Sequence, residues 1–401
     1  MHHMKTYSLL LLAALASTGS AYGAAFTAGN LVVERVGNGS ATLTSAATPV
    51  SVIEYTSSGS SIQTLNLPTS DSTQVTDSGS ATSNGYLNFY NGYLGISGYN
   101  TASGTSSVAA LNTKVGTIYG SDGNLASRTA FPTGGPSGTP PSPFSGNNFR
   151  SVIPTGTSTF YATGASSGAP NTGGAWYYDG AAFTQVSSTV TGQPTNFRNV
   201  EIYGGQLFAT SGATTGYGIF SIGSGLPTAS AQTSSLTINM GSGASPYGFV
   251  MFDTNADTTL DTAFIADDRT AAGGGLNKYT FNGSTWTNSY SLLVSSTGNA
   301  LTPTAATGNQ GIRGLAGSYD PVTGFTLYAT TTETNNNQLI KIIDSGTSTP
   351  TSWTQLATAG TNNAFRGVDI ITTAVPEPST YAAILGGVAL LGVAARRRRS
   401  V

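Results

Sequence analysis

The sequence contains no cysteine, and its only two histidines, His2 and His3, stand at the start of the chain. A body without either residue excludes Ser-His-Asp and Cys-His nucleophile systems. The preferred ligands of zinc, copper, haem and iron–sulfur centres are missing for the same reason. Because no disulfide can form, an exported chain of this composition must rely on its own core for stability.

Charge is also scarce. Charged residues make up 8% of the chain, against about 25% in a typical soluble domain. Between residues 24 and 375, ten Lys and Arg stand against sixteen Asp and Glu, a net charge of −6. A sparse, mildly acidic surface excludes a nucleic-acid-binding protein. With 38% hydrophobic residues and 19 Tyr, however, the chain is too apolar to be disordered.

The first 23 residues have the order of a secretory signal peptide. Lys5 precedes an apolar run at 9–16, and small residues follow up to Gly23. The run is too short for a membrane anchor. We therefore expect export through the Sec machinery, cleavage after Gly23 and a body that spans residues 24–373.

Residues 374–401 form a second targeting segment. It begins with Pro376, Glu377 and Pro378, continues as an apolar run at 381–395, and ends in an arginine cluster: Arg396, Arg397, Arg398 and Arg399. As a helix, the run reaches about 22 Å, less than the ~30 Å hydrocarbon core. Snorkelling arginines extend that reach and hold the end on the cytoplasmic side. We predict a short transmembrane helix.

The Pro-Glu-Pro motif, apolar helix and terminal arginines resemble the PEP-CTERM sorting signal of Gram-negative bacteria. The resemblance implies processing by an exosortase, transient anchoring in the inner membrane, and a final location at the cell surface or in the extracellular matrix. It also implies association with exopolysaccharide and biofilm. A plain C-terminal membrane anchor is the alternative. The tail concerns sorting and carries no information about the body.

The body repeats one signature every roughly 50 to 65 residues. Each repeat opens on an Arg-containing segment, at 148–152, 196–200, 311–315 and 364–368, with Tyr replacing Arg at 246–250. A segment containing Ala-Thr or Ala-Asp follows, and then an alternating segment that ends in several repeats at Asp-Gly or Asn-Gly, which are hairpin signals. Helical periodicity is absent outside the two ends.

Four short strands per repeat predict an all-β fold, a single β-propeller. Residues 84–131 form one further predicted blade. The start of the body supplies three strands, at 31–36, 50–55 and 62–67, without an innermost one, and 365–371 supply an innermost strand without partners. Joining both ends in a composite blade closes the ring and removes exposed sheet edges. The count is six blades, with seven as the alternative.

Four arginines recur at the start of the predicted innermost strands: Arg150, Arg198, Arg313 and Arg366. A propeller gathers them around one central channel, where guanidinium groups suit anionic groups such as uronates. The alternative is architectural, each arginine tying its blade to the next. A residue that recurs once in each blade usually has an architectural role, so the repetition favours the second interpretation.

One loop has oxygen-bearing side chains at alternating positions: Asp253, Asn255, Asp257 and Asp261. This spacing is typical of calcium loops, since Ca²⁺ takes six to eight oxygen ligands. Thr258 replaces the Gly of the sharp turn, and Phe264 stands where an EF-hand has Glu. An ordinary loop of Asx turns is therefore the alternative. Calcium is the only cofactor that the sequence suggests.

Two classes of function remain. We predict the first, an exported, non-enzymatic protein with exosortase, the Sec machinery and exopolysaccharide as partners, and no catalytic residues. The second is a carbohydrate-active enzyme, a glycoside hydrolase or lyase, since glycoside hydrolysis needs only two carboxylates. No spacing favours one of the nearest acid pairings: Asp267 with Asp268, Asp369 near Arg366, Glu201 near Arg198. The tryptophans are predicted to pack rather than to bind sugars: Trp176, Trp286 and Trp353.

Overall fold

The computed structural model describes residues 23–372. The predicted cleavage segment before Gly23, the PEP-CTERM segment and its transmembrane helix lie outside these residues. Within them the chain is all-β, as predicted, with 26 strands, two short 3-10 turns at Asp71–Thr73 and Val108–Ala110, and no α-helix. This part of the chain contains no helix long and apolar enough to cross a membrane.

The largest sheet, sheet I, holds both ends of the body. All of its strand pairs are antiparallel. The strands are β1 (Leu31–Val36), β2 (Ala47–Tyr55), β3 (Ser61–Asn66), β4 (Thr76–Ser78), β5 (Asn88–Tyr90), β6 (Tyr93–Tyr99), β7 (Lys114–Gly120), β8 (Leu125–Ala130) and β26 (Ala364–Ile370). β4 is a short bridge between β2 and β6. Sheet I therefore consists of two four-stranded groups joined by one bridging strand.

Four further sheets are separate blades of a propeller-like arrangement. Sheet II contains β9 (Phe149–Pro154), β10 (Phe160–Gly164), β11 (Gly174–Tyr178) and β12 (Phe183–Gln185). Sheet III contains β13 (Phe197–Tyr203), β14 (Gln206–Ala213), β15 (Gly216–Ile222) and β16 (Ser234–Asn239). Sheet IV contains β17 (Pro246–Phe252), β18 (Thr262–Asp267), β19 (Gly275–Phe281), β20 (Trp286–Val294) and β21 (Leu301–Thr302). Sheet V contains β22 (Ile312–Asp320), β23 (Gly324–Thr331), β24 (Gln338–Asp344) and β25 (Trp353–Thr358).

Hairpin turns lie where the sequence predicted them. Asp179-Gly180 joins β11 to β12, and Asn282-Gly283 joins β19 to β20. Gly180 has φ 98° and Gly283 has φ 91°. Only glycine enters this region of backbone space without a steric penalty, which explains the residue type at both turns.

The two ends of the body are neighbours in sheet I, as predicted. β26 pairs with β1 in antiparallel register, with Leu31 opposite Ile370 and Val36 opposite Ala364. β1 also pairs with β2, so the C-terminal strand lies against strands from the start of the body. A sheet edge that would otherwise expose unpaired backbone groups is thereby covered.

Six strands surround the centre: β5, β9, β13, β17, β22 and β26, here called the inner strands. Each contacts the next in this order, and β26 contacts β5. Glycines allow part of this close approach. A Cβ at Gly314 would lie 2.5 Å from the carbonyl oxygen of Arg366, and one at Gly367 would collide with the backbone of Leu87. A larger residue at either position would force neighbouring inner strands apart.

The repeated Ala-Thr element ties each sheet to the next inner strand. The hydroxyls of Thr163, Thr210 and Thr330 each donate at 2.7 Å to a backbone carbonyl of the neighbouring sheet. The acceptors are the carbonyls of residues at equivalent positions of the repeat: Arg198, Tyr247 and Arg366. The preceding alanines have no exposed surface. The repeated Ala-Thr pair therefore meets two requirements. The alanine is small enough to be fully buried, and the threonine hydroxyl makes a hydrogen bond between sheets.

The core lies between adjacent sheets. Between sheets IV and V it includes Phe264 and Phe325, whose ring centroids are 5.0 Å apart. A buried ion pair crosses the same interface, with Lys278 Nζ 2.7 Å from Asp344 Oδ2. The hydroxyl of Tyr290 donates to the same carboxylate oxygen at 2.7 Å. These groups make this interface both apolar and charge-paired.

Candidate functional site

The arginines predicted from the repeat lie near the starts of the inner strands, on the side of the ring called here the entry face. Nη1 of Arg150 donates to the Phe197 carbonyl at 2.8 Å and to the Asn196 side chain. Nη1 of Arg198 makes the equivalent contacts in the next sheet, to the Pro246 carbonyl at 2.7 Å and to Ser245. These two arginines therefore connect sheets II, III and IV through the same pair of bonds.

The other two arginines have different partners. Nη2 of Arg366 donates to the carbonyl of Gly79 at 2.8 Å, on the bridging segment of sheet I. Arg313 lies 3.4 Å from a carboxylate oxygen of Asp268 and donates to the Thr332 carbonyl at 2.8 Å. All four guanidinium groups thus already donate within the protein, which agrees with an architectural role.

Tyr247, which replaces Arg in sheet IV, lies between two of the arginines. Its ring centroid is 4.1 Å from the Arg198 guanidinium carbon and 5.9 Å from that of Arg313. The buried ring of Tyr86 packs 6.3 Å from the Tyr247 ring. Burial lowers the pKa of Arg150 to about 10, and the nearby charge of Arg198 acts in the same direction. Anion binding by this ring stays a prediction.

Two acids lie near the ends of their inner strands, on the side of the ring opposite the arginines, here called the exit face. Glu201 lies on β13 and Asp369 on β26, three positions apart in the ring. Burial raises the pKa of Glu201 well above its usual value, and the charge of Asp369 raises it further. Both acids also raise the pKa of the Tyr203 hydroxyl, after burial. Within residues 23–372 neither acid has a Lys or Arg nitrogen within 4.0 Å.

Hydrogen bonds hold both carboxylates in place. Asp369 accepts from the backbone N–H groups of Phe89 at 2.5 Å and Ile370 at 2.7 Å. Glu201 accepts from the Asn199 side chain at 3.0 Å. Burial nevertheless raises the pKa of Asp369 to about 7, because the two N–H groups offset only part of the desolvation.

The raised pKa of Asp369 predicts a pH-dependent stability. The folded protein binds this proton up to about pH 7, whereas an unfolded Asp loses it near pH 3.8. The contribution is therefore complete below pH 3.8 and is lost as the pH rises through 7. Unfolding free energy should therefore fall by about 2–3 kcal/mol from pH 5 to pH 8 through this group, and Asp369→Asn should abolish that fall. Denaturant titrations of both proteins at the two pH values test this.

Asp320→Asn is the matched control for that measurement. Asp320 is exposed in a turn, and backbone N–H groups of Thr323 and Val322 lower its pKa. It stays ionised from pH 5 to 8 in both states, so its removal should leave the pH dependence unchanged. An Asp369→Asn variant with the wild-type pH dependence would contradict the assignment.

An aromatic groove of about 370 Å³ opens beside the acids on the exit face, between sheets III and IV. Tyr203, Phe281 and Trp286 line it, together with uncharged polar groups such as Gln206 and Thr259. The Phe281 and Trp286 ring centroids are 5.3 Å apart. Trp176 and Trp353 are buried, as packing residues are, so Trp286 differs from them by its partial exposure.

The predicted calcium loop borders the same groove. Its side chains make Asx turns: Asp253 accepts from the Thr258 N–H at 2.8 Å, and Asp257 from the Thr259 N–H at 2.7 Å. Asp261 accepts from the Thr254 hydroxyl at 2.8 Å. Between residues 23 and 372 no three Asp, Glu, His or Cys side chains are gathered as a metal site. Calcium binding by Asp253, Asn255, Asp257 and Asp261 stays a prediction.

Sequence reasoning named Glu201 and Asp369 but did not pair them. The available signal was their common position, three residues after the repeated arginine, in Arg198-Asn-Val-Glu201 and Arg366-Gly-Val-Asp369. Equivalent positions of different repeats project to the same level of a ring. Trp286 carried no such signal, because its groove is formed by two different sheets.

The fold and the tail together define a class, an exported protein with a propeller-like body. Residues 374–399 match the PEP-CTERM protein-sorting motif. This motif implies an exosortase-processed protein that is anchored in the membrane before cleavage. The predicted sorting residues Pro376, Glu377, Pro378 and Arg396 to Arg399 lie within the match. No curated protein matches the chain.

Solved structures of similar architecture have low sequence identity. A candidate 6-phosphogluconolactonase from Bacteroides uniformis is 12% identical, with a TM-score of 0.43 over 81% of this chain and 83% of that one. A GH74 xyloglucanase from Xanthomonas campestris is 13% identical, with a TM-score of 0.39 over 83% of this chain and 46% of that one. This chain thus spans about half of the xyloglucanase. AztD from Citrobacter koseri is 10% identical, with a TM-score of 0.29 over 85% and 98% of the two chains.

Proposed function

We propose that this exosortase-processed protein is a non-enzymatic component of the cell surface or extracellular matrix, and that its body binds exopolysaccharide in a biofilm through the exit-face groove. The Sec machinery and the exosortase are its processing partners. A body of residues 24–373 would remain after a signal peptide at 1–23 and a sorting segment at 374–401 are removed.

The aromatic groove is the observation that carries this proposal. Trp286 and Phe281 offer adjacent ring faces, and Gln206 and Thr259 supply neutral hydrogen-bonding groups. Sugar rings present apolar C–H faces that stack on aromatic side chains, while their hydroxyls need uncharged donors and acceptors. The groove is open along the surface rather than closed, a shape that suits a chain passing through it.

We further propose that the scaffold has six blades, with seven as the alternative. Sheets II, III, IV and V are one blade each. The nine-stranded sheet I counts as two, one made of β26, β1, β2 and β3 and the other of β5 to β8. The closed order of six inner strands supports this count. The composite blade places the end of the body beside its start.

Glycoside hydrolysis or cleavage is the second candidate, favoured by the effect of the Asp369 charge on Glu201. Two carboxyl groups with raised pKa values are the minimum equipment of a glycosidase. Against it, both oxygens of Asp369 accept backbone N–H groups, which leaves little freedom to act as an acid or a nucleophile. We therefore place it second.

Affinity electrophoresis of the purified chain in gels containing exopolysaccharide from its own source organism tests both candidates. Trp286→Ala should weaken binding about tenfold, corresponding to loss of about 1.4 kcal/mol of stacking. Tyr217→Ala, an aromatic change on β15 outside the groove, should bind as the unaltered protein does. Equal retardation of all three proteins would reject the groove.

The same mixtures are assayed for reducing ends. Binding without their release supports the non-enzymatic proposal. Release by the unaltered protein that disappears in Glu201→Gln would replace it with hydrolysis. A lyase would instead create an unsaturated sugar, detected by its ultraviolet absorbance, and would equally overturn the non-enzymatic assignment.

A further inference from the structure

A second group of acids lies where β26 pairs with β1 and closes sheet I, a place called here the closure seam. The register between β1 and β26 shifts between Val33 and Arg35, where Glu34 of β1 opposes two residues of β26, Arg366 and Gly367. The extra residue of this bulge therefore lies on β26, and Glu34 has no single partner there. Glu34 has no exposed surface, and Asp77 on the bridging strand β4 is only 1% exposed.

These acids are joined by an amide from the loop that precedes β5. The Asn84 side-chain N–H donates to Asp77 Oδ1 at 2.8 Å. Its neighbour Gly85 has φ 79°, and a Cβ there would collide with Glu34 Oε1. The backbone at residues 84 and 85 therefore brings the Asn84 amide, the Glu34 carboxylate and the Asp77 carboxylate to one place.

Four oxygens of this group have no hydrogen-bond partner. They are buried atoms of three different elements: both carboxylate oxygens of Glu34, Oδ2 of Asp77 and Oδ1 of Asn84. Asn84 is only 2% exposed, so its free amide oxygen is shielded from solvent as thoroughly as the acids are. Buried carboxylates that lack partners are expected to lose a charge or to coordinate a cation.

The available counter-charge is incomplete. Arg366 is the cation whose charge acts on both acids, opposing the effect of burial. No Lys or Arg nitrogen in residues 23–372 lies within 4.0 Å of either carboxylate. Two ionised carboxylates and one guanidinium leave a net charge of −1. With no other cation, burial raises the pKa of Asp77 to about 7 and that of Glu34 well above its usual value.

We propose that Glu34, Asp77 and Asn84 bind a hard metal cation at the closure seam. All the free groups are oxygens, two are carboxylates, and a hard cation such as Ca²⁺ prefers oxygen ligands. The ligands come from β1, β4 and the loop before β5, opposite Arg366 of β26. The cation holds together the segments that close the ring, and so stabilises the folded body.

The site is distinct from the loop at 253–261. That loop is exposed, and N–H and hydroxyl groups occupy its carboxylates. The seam group has the reverse character, since it is buried and its oxygens are free. A single substitution in one of the two candidate sites therefore tells which of them binds a cation.

Thermal unfolding of the full-length chain, stripped with chelator and kept at pH 8 in a choline salt, tests the proposal. Millimolar Ca²⁺, or Na⁺ replacing choline at equal ionic strength, should raise the midpoint by a few degrees. A response to Ca²⁺ alone identifies a divalent site, and a response to Na⁺ alone identifies a monovalent one. Terbium luminescence, sensitised by the nearby Tyr99, reports binding independently, since Tyr99 Oη lies 3.3 Å from the Asn84 amide nitrogen.

Two isosteric variants and one control complete the test. Glu34→Gln and Asp77→Asn should each lose the midpoint shift and the terbium signal, while Asp257→Asn in the exposed loop should keep both. Should either seam variant fail to fold, metal content of the unaltered protein after gel filtration decides. No shift with either ion, no retained metal, or a shift lost in Asp257→Asn overturns the proposal and leaves the seam acids as a protonated pair.

Discussion

Deleting the closing strand β26 should unfold the body as a whole rather than fray one end. Without Ala364–Ile370, β1 keeps β2 but loses its partner on the other side, and the ring of inner strands is broken between β22 and β5. Phe365 and Val368 also leave the core shared with Leu31 and Ile53. The loss should amount to several kcal/mol, comparable with the total of about 5–15 kcal/mol for a typical domain.

The measurement is limited proteolysis and size-exclusion chromatography of the internal deletion, with the sorting segment kept. Deleting the exposed turn residues Thr347 and Ser348 between β24 and β25 is the control, since surface loops tolerate shortening. We expect the control to stay monomeric and protease-resistant, and the β26 deletion to aggregate or to be digested throughout. A monomeric, resistant β26 deletion would show that the sheets are stable as an open array.

Removing one charge of the buried ion pair between sheets IV and V should be the most damaging single substitution. Lys278→Ala leaves Asp344 buried with only the Tyr290 hydroxyl and the Gly346 N–H as donors. The nitrogen of Lys278 also lies 4.9 Å from the ring centroid of Phe325, and this contact is lost with it. An uncompensated buried charge costs about 3–5 kcal/mol, which denaturant unfolding would reveal.

A double variant separates the pair from its surroundings. Lys278→Met with Asp344→Asn removes both charges while keeping volume, and should cost much less than Lys278→Ala alone. Lys341→Ala on β24 is the control, because Lys341 is only partly buried and forms no salt bridge within residues 23–372, so its removal should cost at most about 0.5 kcal/mol. Equal losses for Lys341→Ala and Lys278→Ala would mean that the buried ion pair does not determine the loss.

Repetition made the sheets predictable. Each repeat contains its own strand residues, two of the repeats have an Asp-Gly or Asn-Gly turn, and neighbouring strands are hairpin partners, so local sequence specifies them. The start of β1 at Leu31 and its end at Val36 agree with the prediction. The final strand needed a further physical argument, that an unpaired edge must be covered, and its pairing with β1 agrees with that argument.

Residues that act between sheets were harder to predict. Thr210 looked like a strand residue, yet its hydroxyl serves the next sheet. Lys278 and Asp344 are 66 positions apart, and nothing in the local pattern of either indicates the other. Nothing in the sequence around Glu34 indicated that it would lie opposite a bulge of the distant strand β26.

The sequence by itself determined the all-β class, the order of the strands, the sorting motif and the absence of thiol and imidazole groups from residues 24–373. These follow from composition and from contacts between residues near in the chain. Only the tertiary structure decided that the charge of Asp369 acts on Glu201, that Trp286 borders a groove, and that Glu34, Asp77 and Asn84 share one buried place. Side chains from distant strands meet according to the curvature of the ring and the register of each sheet, and neither is encoded in a local pattern.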